Sequence, residues 1–330
     1  MSPKPQTTSG AAAAKSSKRT MYALMVAIDR YMPPVPALRG CVNDRNAFKE
    51  YLERQFANSK EIDLKIVTLT DQEATKQGVV KGFSHFEKAK DGDICLFFYC
   101  GHGSQSPAPK EFWHLDPDGM NESMVCYDSR NGAMDLMDKE LSYLIWEATQ
   151  KKDVHFISIF DCCHSGTITR NATLTPRQAP ASHFPTRFTD YVGHESYKVN
   201  VVEGLNQASP PRGRYIQLAA CKEQETAKET QINGQPRGIF TFNLVQVLEQ
   251  SGGDLTYNEL QQILQLRVGN SVRDQLPQLV STEPKDKDQR FLGGAMPPKE
   301  PGYLIQFDKG KWMMNAGSVQ GIPAQGGEIE

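Results

Sequence analysis

Apolar runs of strand length alternate with helix-patterned segments along this 330-residue chain, and that alternation restricts the fold more than any other feature. Residues 22–28 read YALMVAI, an uninterrupted apolar run. In the following NDRNAFKEYLERQF, Ala47, Phe48, Tyr51, Leu52 and Phe56 recur at helical spacing, with Asn43 or Asp44 placed to cap the first turn. LKIVTLT (64–70) is a second strand, and ATKQGVVKGFSHFEKAK a helix with Val79, Val80, Phe83 and Phe86 on one face. ICLFFYC (94–100) is a third strand. Beyond an irregular stretch at 104–137, DKELSYLIWEATQ reads as helix and VHFISIF (154–160) as strand. Strands that are apolar at nearly every position suit a sheet covered on both faces. Strands and helices in alternation make βαβ units. The expectation is an α/β fold, a mainly parallel central sheet with helices on both faces.

A second block continues the pattern, with RYIQLAAC as strand, GIFTFNLVQVLEQ as a helix stopped by Gly252 and Gly253, and TYNELQQILQLRV as another helix. Between the blocks, residues 167–213 are rich in Thr, Ser, Pro and Arg and read as an exposed, flexible linker. The organisation expected is a tail over 1–20, a domain over 21–299 and the start of a small β unit over 300–330. Within the domain, 21–166 forms a larger part and 214–299 a smaller one. The last unit is too short to be complete, so the sequence reads as a piece of a longer polypeptide. The tail is basic, small and free of acids through residue 19, and cannot bury enough surface to order itself.

The net charge of −2 leaves no surplus to neutralise phosphates, which argues against nucleic acid as a partner. No run of about 18 apolar residues is present, so no membrane span is expected. Seven cysteines, an odd number without regular spacing, describe thiols in a reducing compartment, with the cytoplasm expected, rather than a disulfide framework.

Two strands end in unusual chemistry: ICLFFYC runs into GHGS, and ISIF into DCCHSG. Loops at the carboxyl ends of neighbouring parallel strands converge. Adjacent strands lie about 4.8 Å apart, so His102 and a cysteine after the second strand can meet. A thiol with a pKa near 8.5 is mostly protonated at neutral pH, and an adjacent imidazole can take its proton during attack. Gly101 and Gly103 permit a tight turn and offer unhindered N–H groups, as an oxyanion hole requires. Cys162 and Cys163 point in opposite directions, and alternation alone does not choose between them. Consecutive ligands in DCCH suit tetrahedral zinc poorly, and no second C-x-x-C or H-x-x-x-H pair completes a shell. The first strand leads to DRYMPPVPALRG rather than a glycine-rich phosphate loop.

FFYCGHGS together with FDCCHSG resembles the paired signature of metacaspases, caspase-like cysteine peptidases, here of prokaryotic type. LAACKEQETAKE and GIFTFNLVQVL resemble the smaller second half of the caspase fold, so the resemblance implies a caspase-like three-layer sandwich. It makes Cys163 the nucleophile and His102 its partner, with the N–H groups of Gly103 and Cys163 as oxyanion hole. Asp44 and Asp161 match acids that line a pocket for a basic residue before the scissile bond, arginine more readily than lysine because it binds bidentately. Cys100 stands at that pocket where the family usually has serine. Many metacaspases need calcium. Alignment places Asn121, Lys139 and Arg170 where three acids are expected, leaving Asp138 alone, so no calcium or other cofactor is expected. With an arginine pocket, Arg170, Arg177, Arg187 and Arg212 in the linker, alongside Lys198 and Arg214, become candidate self-cleavage sites. Partners would be proteins with exposed Arg or Lys, and the chain a monomer. The rival reading is a catalytically inactive caspase-like scaffold or regulator.

Overall fold

The computed structural model describes residues 18–163 and 174–296, together with a terminal strand pair. The first half of the chain forms β1 (Arg19–Ala27), α1 (Cys41–Phe56), β2 (Ile62–Thr70), α2 (Lys76–Gly82), β3 (Ile94–Cys100), β4 (Gly103–Pro107), β5 (Met120–Met124), β6 (Leu136–Met137), α3 (Asp138–Thr149) and β7 (His155–Asp161). The second half adds β8 (Thr175–Pro176), the hairpin β9 (Lys198–Val202) and β10 (Leu205–Ser209), β11 (Ile216–Ala219), β12 (Lys228–Ile232), β13 (Gln235–Gly238), α4 (Ile239–Ser251), α5 (Tyr257–Ser271) and β14 (Gln278–Ser281). The terminal pair β15 (Ile305–Asp308) and β16 (Lys311–Met314) is an antiparallel hairpin.

The central sheet has the order β14-β11-β7-β3-β1-β2. All neighbours pair in parallel except β11 with β14 at one edge. Side chains alternate across it with a period of two. Met21, Ala23, Met25, Ile94, Leu96, Phe98, Ile157 and Ile159 face a core closed by Phe48, Tyr51 and Leu52 of α1 and by Leu244, Leu248, Leu260 and Leu264 of α4 and α5. Leu24, Val26, Cys95, Phe97, Phe156 and Phe160 face the other way, against Val79, Phe83, Phe86, Leu144 and Ile145. Every residue of β3 is buried, as its unbroken apolar sequence requires. The result is a three-layer α/β sandwich.

Two local expectations change. The helix read over 74–90 is the short α2 followed by a 3-10 segment, Phe83–Lys88. Gly78 and Gly82 each cost about 1 kcal/mol in a helix, while Phe83 and Phe86 stay anchored in the core. The stretch at 104–137 holds a small antiparallel sheet, β4-β5-β6. Its strands, GSQSP and MNESM, are polar and short, so they carry no apolar alternation to read.

Candidate active site

The carboxyl ends of β3 and β7 lie side by side, with Cys100 opposite Asp161 in the parallel register. His102 and Cys163 each stand two residues beyond that pair. Both loops turn inward onto a single atom. The N–H of Gly103 and the N–H of Cys163 both donate to the carbonyl oxygen of Arg177, at 3.1 and 3.3 Å. The sheet's alternation now separates the two thiols. Cys162 packs into the core on the α2 and α3 side, whereas Cys163 joins the core beneath α1 and α4. The Cys163 sulfur lies 3.8 Å from the Ala227 carbonyl oxygen.

His102 is held on several sides. Its N–H donates to the Tyr31 hydroxyl oxygen at 2.8 Å, the Tyr99 hydroxyl donates to its carbonyl at 2.7 Å, and the Tyr31 ring packs on the imidazole 5.0 Å away. Nε2 lies 2.9 Å from the Pro36 carbonyl oxygen. A carbonyl only accepts, so Nε2 carries the hydrogen and Nδ1, buried and without a hydrogen-bond partner, keeps its lone pair. Burial, reinforced by the Arg177 and Arg130 charges, lowers the imidazole to a pKa of about 4. Burial pushes the Cys163 thiol up to about 12. At neutral pH both groups are therefore uncharged, the Cys163 thiol and the His102 imidazole alike. Gly101 must be glycine for space, since a Cβ there would stand 2.5 Å from the Tyr99 hydroxyl and 2.7 Å from that of Tyr31.

Beside these groups is a pocket filled by the Arg177 side chain, which is fully buried. This corrects the expectation that Arg177 is exposed in a flexible linker. Its Nη2 lies 2.6 Å from Asp44 Oδ2 and 3.4 Å from Glu229 Oε2, and its Nη1 lies 2.8 Å from Asp161 Oδ2. The physical reason is charge: three buried carboxylates need cations, and one linker arginine supplies the matching fork. A second guanidinium, Arg237, reaches the outer oxygen of Asp44 at 2.6 Å. Without Arg177, three carboxylates would share that one cation. Burial, with Asp161 beside it, raises the Asp44 carboxyl to about 6 against the pull of both arginines. Cys100 lies under the pocket, its sulfur 3.8 Å from Thr241 Oγ1. One ligand atom from each of Asp44, Cys100 and Asp161 falls within 4.8 Å of the others.

Local structure explains how the acids come to face inward. Asp44 is not the cap of α1, as its position suggested. The helix starts at Cys41, and Asp29, just beyond β1, accepts from the N–H groups of Cys41 at 2.8 Å and Val42 at 3.3 Å. Asp44 is thereby left to the pocket, where it also accepts from the Gly238 N–H at 2.6 Å. The first turn of α4 serves Asp161, which accepts from the N–H and the hydroxyl of Thr241 at 3.1 and 2.6 Å. Glu229, unnoticed in the sequence, is fixed by the N–H groups of Arg39 at 2.9 Å and Gly40 at 3.1 Å. Gly238 forms a wall against the guanidinium, where a Cβ would stand 2.4 Å from Arg177 Nη1.

Of the other linker cations, Arg187 is exposed and paired with Asp190, Arg212 and Lys198 are exposed, and Arg214 pairs with Asp286. Arg170 lies outside the described residues. Of the residues weighed for calcium, Asn121, Asp138 and Lys139 are among those described. The Lys139 ammonium is buried between Asp116 and Asp138, 2.9 Å from the latter, and Asn121 turns its amide nitrogen to the Pro107 carbonyl at 3.2 Å. The described residues contain no helix long and apolar enough to cross a membrane.

Sheet order and the chemistry at its carboxyl edge define a caspase-like α/β protein. Residues 20–288 match the caspase domain family, peptidase family C14, and the chain belongs to that family of cysteine-type peptidases. Among curated relatives, Metacaspase-1 of Candida albicans is 24% identical over 307 residues, spanning 82% of this chain and 66% of the relative. Metacaspase-1A of Aspergillus oryzae is 26% identical over 306 residues, spanning 83% and 69%. The chain thus matches about two thirds of the length of these relatives. Among solved structures, protein GSU0716 of Geobacter sulfurreducens is 19% identical with a TM-score of 0.59, over 83% of this chain and 98% of that one, a likeness of fold.

Proposed function

We propose that this chain is a cysteine endopeptidase that cuts after arginine, and less readily after lysine, and that its first substrate is its own Arg177–Gln178 bond. One observation carries the reading: a single residue, Arg177, puts its side chain in the acid pocket and its carbonyl oxygen between the N–H groups of Gly103 and Cys163. The flanking chain lies as substrate would. Residues 175–176 pair antiparallel with β12, and the Arg177 N–H donates to the Ala227 carbonyl at 2.8 Å. Leu174 packs against Ile239, Val268 and Val272.

In the reaction, the Cys163 sulfur bonds to the carbonyl carbon of the arginine while its proton passes to Nδ1 of His102. The negative charge gathering on the carbonyl oxygen is met by the two N–H groups. His102 returns the proton to the departing amide nitrogen, which leaves as an amine, and water hydrolyses the thioester. The Pro36 carbonyl supports the imidazolium through its Nε2 hydrogen. No metal or other cofactor enters these steps, and the enzyme works without calcium. It acts on proteins with exposed Arg or Lys, as a monomer in the reducing cytoplasm.

Intact mass after incubation tests the reading. Wild type should yield a fragment ending at Arg177 and one beginning at Gln178, and Cys163→Ala neither. Persistence of the full-length mass in wild type under every condition that lets it turn over an arginine peptide would remove the self-cleavage, and failure to turn over any arginine peptide would remove the peptidase.

A further inference from the structure

Beyond the Arg177–Gln178 bond the chain stays on the protein. Gln178 forms a parallel bridge with Gly103, and the Ala179 N–H donates to the Gly103 carbonyl at 3.0 Å. Farther on, the Ser182 N–H donates to the Gln105 carbonyl at 2.7 Å. The segment after the scissile bond therefore lies as an added strand along the open edge of β4. The Pro180 carbonyl is gripped by the Arg130 guanidinium through Nη1, and the Ser104 hydroxyl donates to it at 3.0 Å.

We propose that this edge of β4, with Arg130, is a subsite for substrate residues that follow the scissile bond, and that it selects a small apolar residue at the second of those positions. The proposal rests on the reading of Arg177 as the residue before the cut. Ala179 occupies that second position and is buried with Val35 and Val125, with Tyr31 packed against them. Tyr31 also holds His102, so this pocket cannot widen without moving the imidazole. Because Ala179 is buried among these side chains, a longer one would have to displace them, and overpacking a closed apolar site is unfavourable. Arg130 is preorganised for its contact. Its Nη2 is bound by Asp135 Oδ2 at 3.1 Å and donates to Ser104 Oγ at 2.6 Å, and the side chain is almost fully buried. It binds a backbone carbonyl rather than a side chain, so it reads the path of the leaving strand and not its sequence.

Three substrates separate the subsite from the pocket. The first is a fluorescence-quenched ten-residue peptide, LTPRQAPASH, copied from residues 174–183. The second replaces its first alanine by phenylalanine. The third is the arylamide of LTPR, which has no residue after arginine. With the full-length chain, the phenylalanine peptide should be cut at least about tenfold less efficiently than the first by kcat/KM. Arg130→Gln should lower kcat/KM for the first peptide about tenfold more than for the arylamide, the value of one charge-assisted hydrogen bond, the loss common to both being the removal of its charge from the neighbourhood of His102. Equal rates on the two peptides overturn the selection. An equal fall on peptide and arylamide shows that Arg130 acts only through His102 or the fold and overturns the subsite. Turnover of none of the three by wild type removes the peptidase reading, and this proposal with it.

Discussion

Glu229 Oε2 stands 3.4 Å from Arg177 Nη2, on the side of the guanidinium away from Asp161. Carboxylates thus bracket the fork from both ends, and a single ammonium could not meet both. Glu229→Gln should therefore cost arginine substrates about 1–2 kcal/mol, read as a several-fold to tenfold rise in KM, and cost lysine substrates less. Asp44→Asn, at the 2.6 Å contact, should cost about 2–5 kcal/mol. Steady-state kinetics on a matched pair of arginine and lysine peptides checks both, and equal losses on the pair would refute the bracketing role of Glu229.

Gly238→Ala should close the pocket while sparing the fold. The residue has φ −69° and ψ 132°, which alanine adopts without strain. Its Cβ, however, would fall 2.4 Å from Arg177 Nη1 and 2.5 Å from Asp161 Oδ2. The expected outcome is loss of self-cleavage and of arginine-peptide turnover with circular dichroism unchanged. Retained cleavage at Arg177 would show that the guanidinium does not need this wall.

How much of this was legible beforehand depended on the kind of signal. β3 and β7 announced themselves because strands buried on both faces must be apolar throughout, and the groups that break such runs, Asp161, Cys163 and His102, stand out against them. Asp44 was visible as an acid in the first turn of α1, though the capping role its position suggested belongs to Asp29. Glu229 gave no signal. It lies in the polar strand KETQI, and only folding brings it against Arg39 and Gly40. Arg177 was misread for the same reason. A cation among Thr and Pro looks solvated until the distant acids that surround it, 44, 161 and 229, are assembled.

Thiol reactivity should report whether the arginine segment is in place. With Arg177 seated, Cys163 is fully buried and its thiol is raised to about 12, so the thiolate fraction at neutral pH is negligible. Iodoacetamide should label Cys163 slowly in the intact chain and at least about tenfold faster in Arg177→Ala, which has no side chain for the pocket. Peptide mapping by mass spectrometry gives the site. Equal rates in the two proteins would mean that the segment does not shield the sulfur.

Arginine binding should weaken toward acid, with a defined sign. The Asp44 carboxyl sits at about 6 with a guanidinium beside it. If the loss of that positive charge outweighs the water that enters an emptied pocket, Asp44 rises there and an arriving arginine expels a proton. Affinity is therefore greatest at high pH and falls as pH drops through the interval above 6, by at most about tenfold per unit for one proton, levelling off below it. KM for an arginine peptide measured between pH 8 and 5.5 should show that rise and plateau. A flat KM across the range would place Asp44 as carboxylate in both states.

Calcium should be dispensable because Lys139 already supplies a cation. Its ammonium is buried between Asp116 and Asp138, and its backbone carbonyl accepts from the Tyr197 hydroxyl at 2.9 Å, which ties the start of α3 to the chain ahead of β9. A chelator should leave arginine-peptide turnover unchanged, and added calcium should not raise it. Lys139→Ala removes the charge and leaves two acids facing each other. Asp138 keeps partial solvent contact, so the loss should be about 1–3 kcal/mol, seen as a lower Tm. In that variant, calcium should restore part of the Tm if the carboxylates can close on an ion, whereas in wild type it should do nothing. Activity abolished by chelation and recovered with calcium in wild type would refute this account, since a seated ammonium and a divalent ion cannot share the same pair of acids.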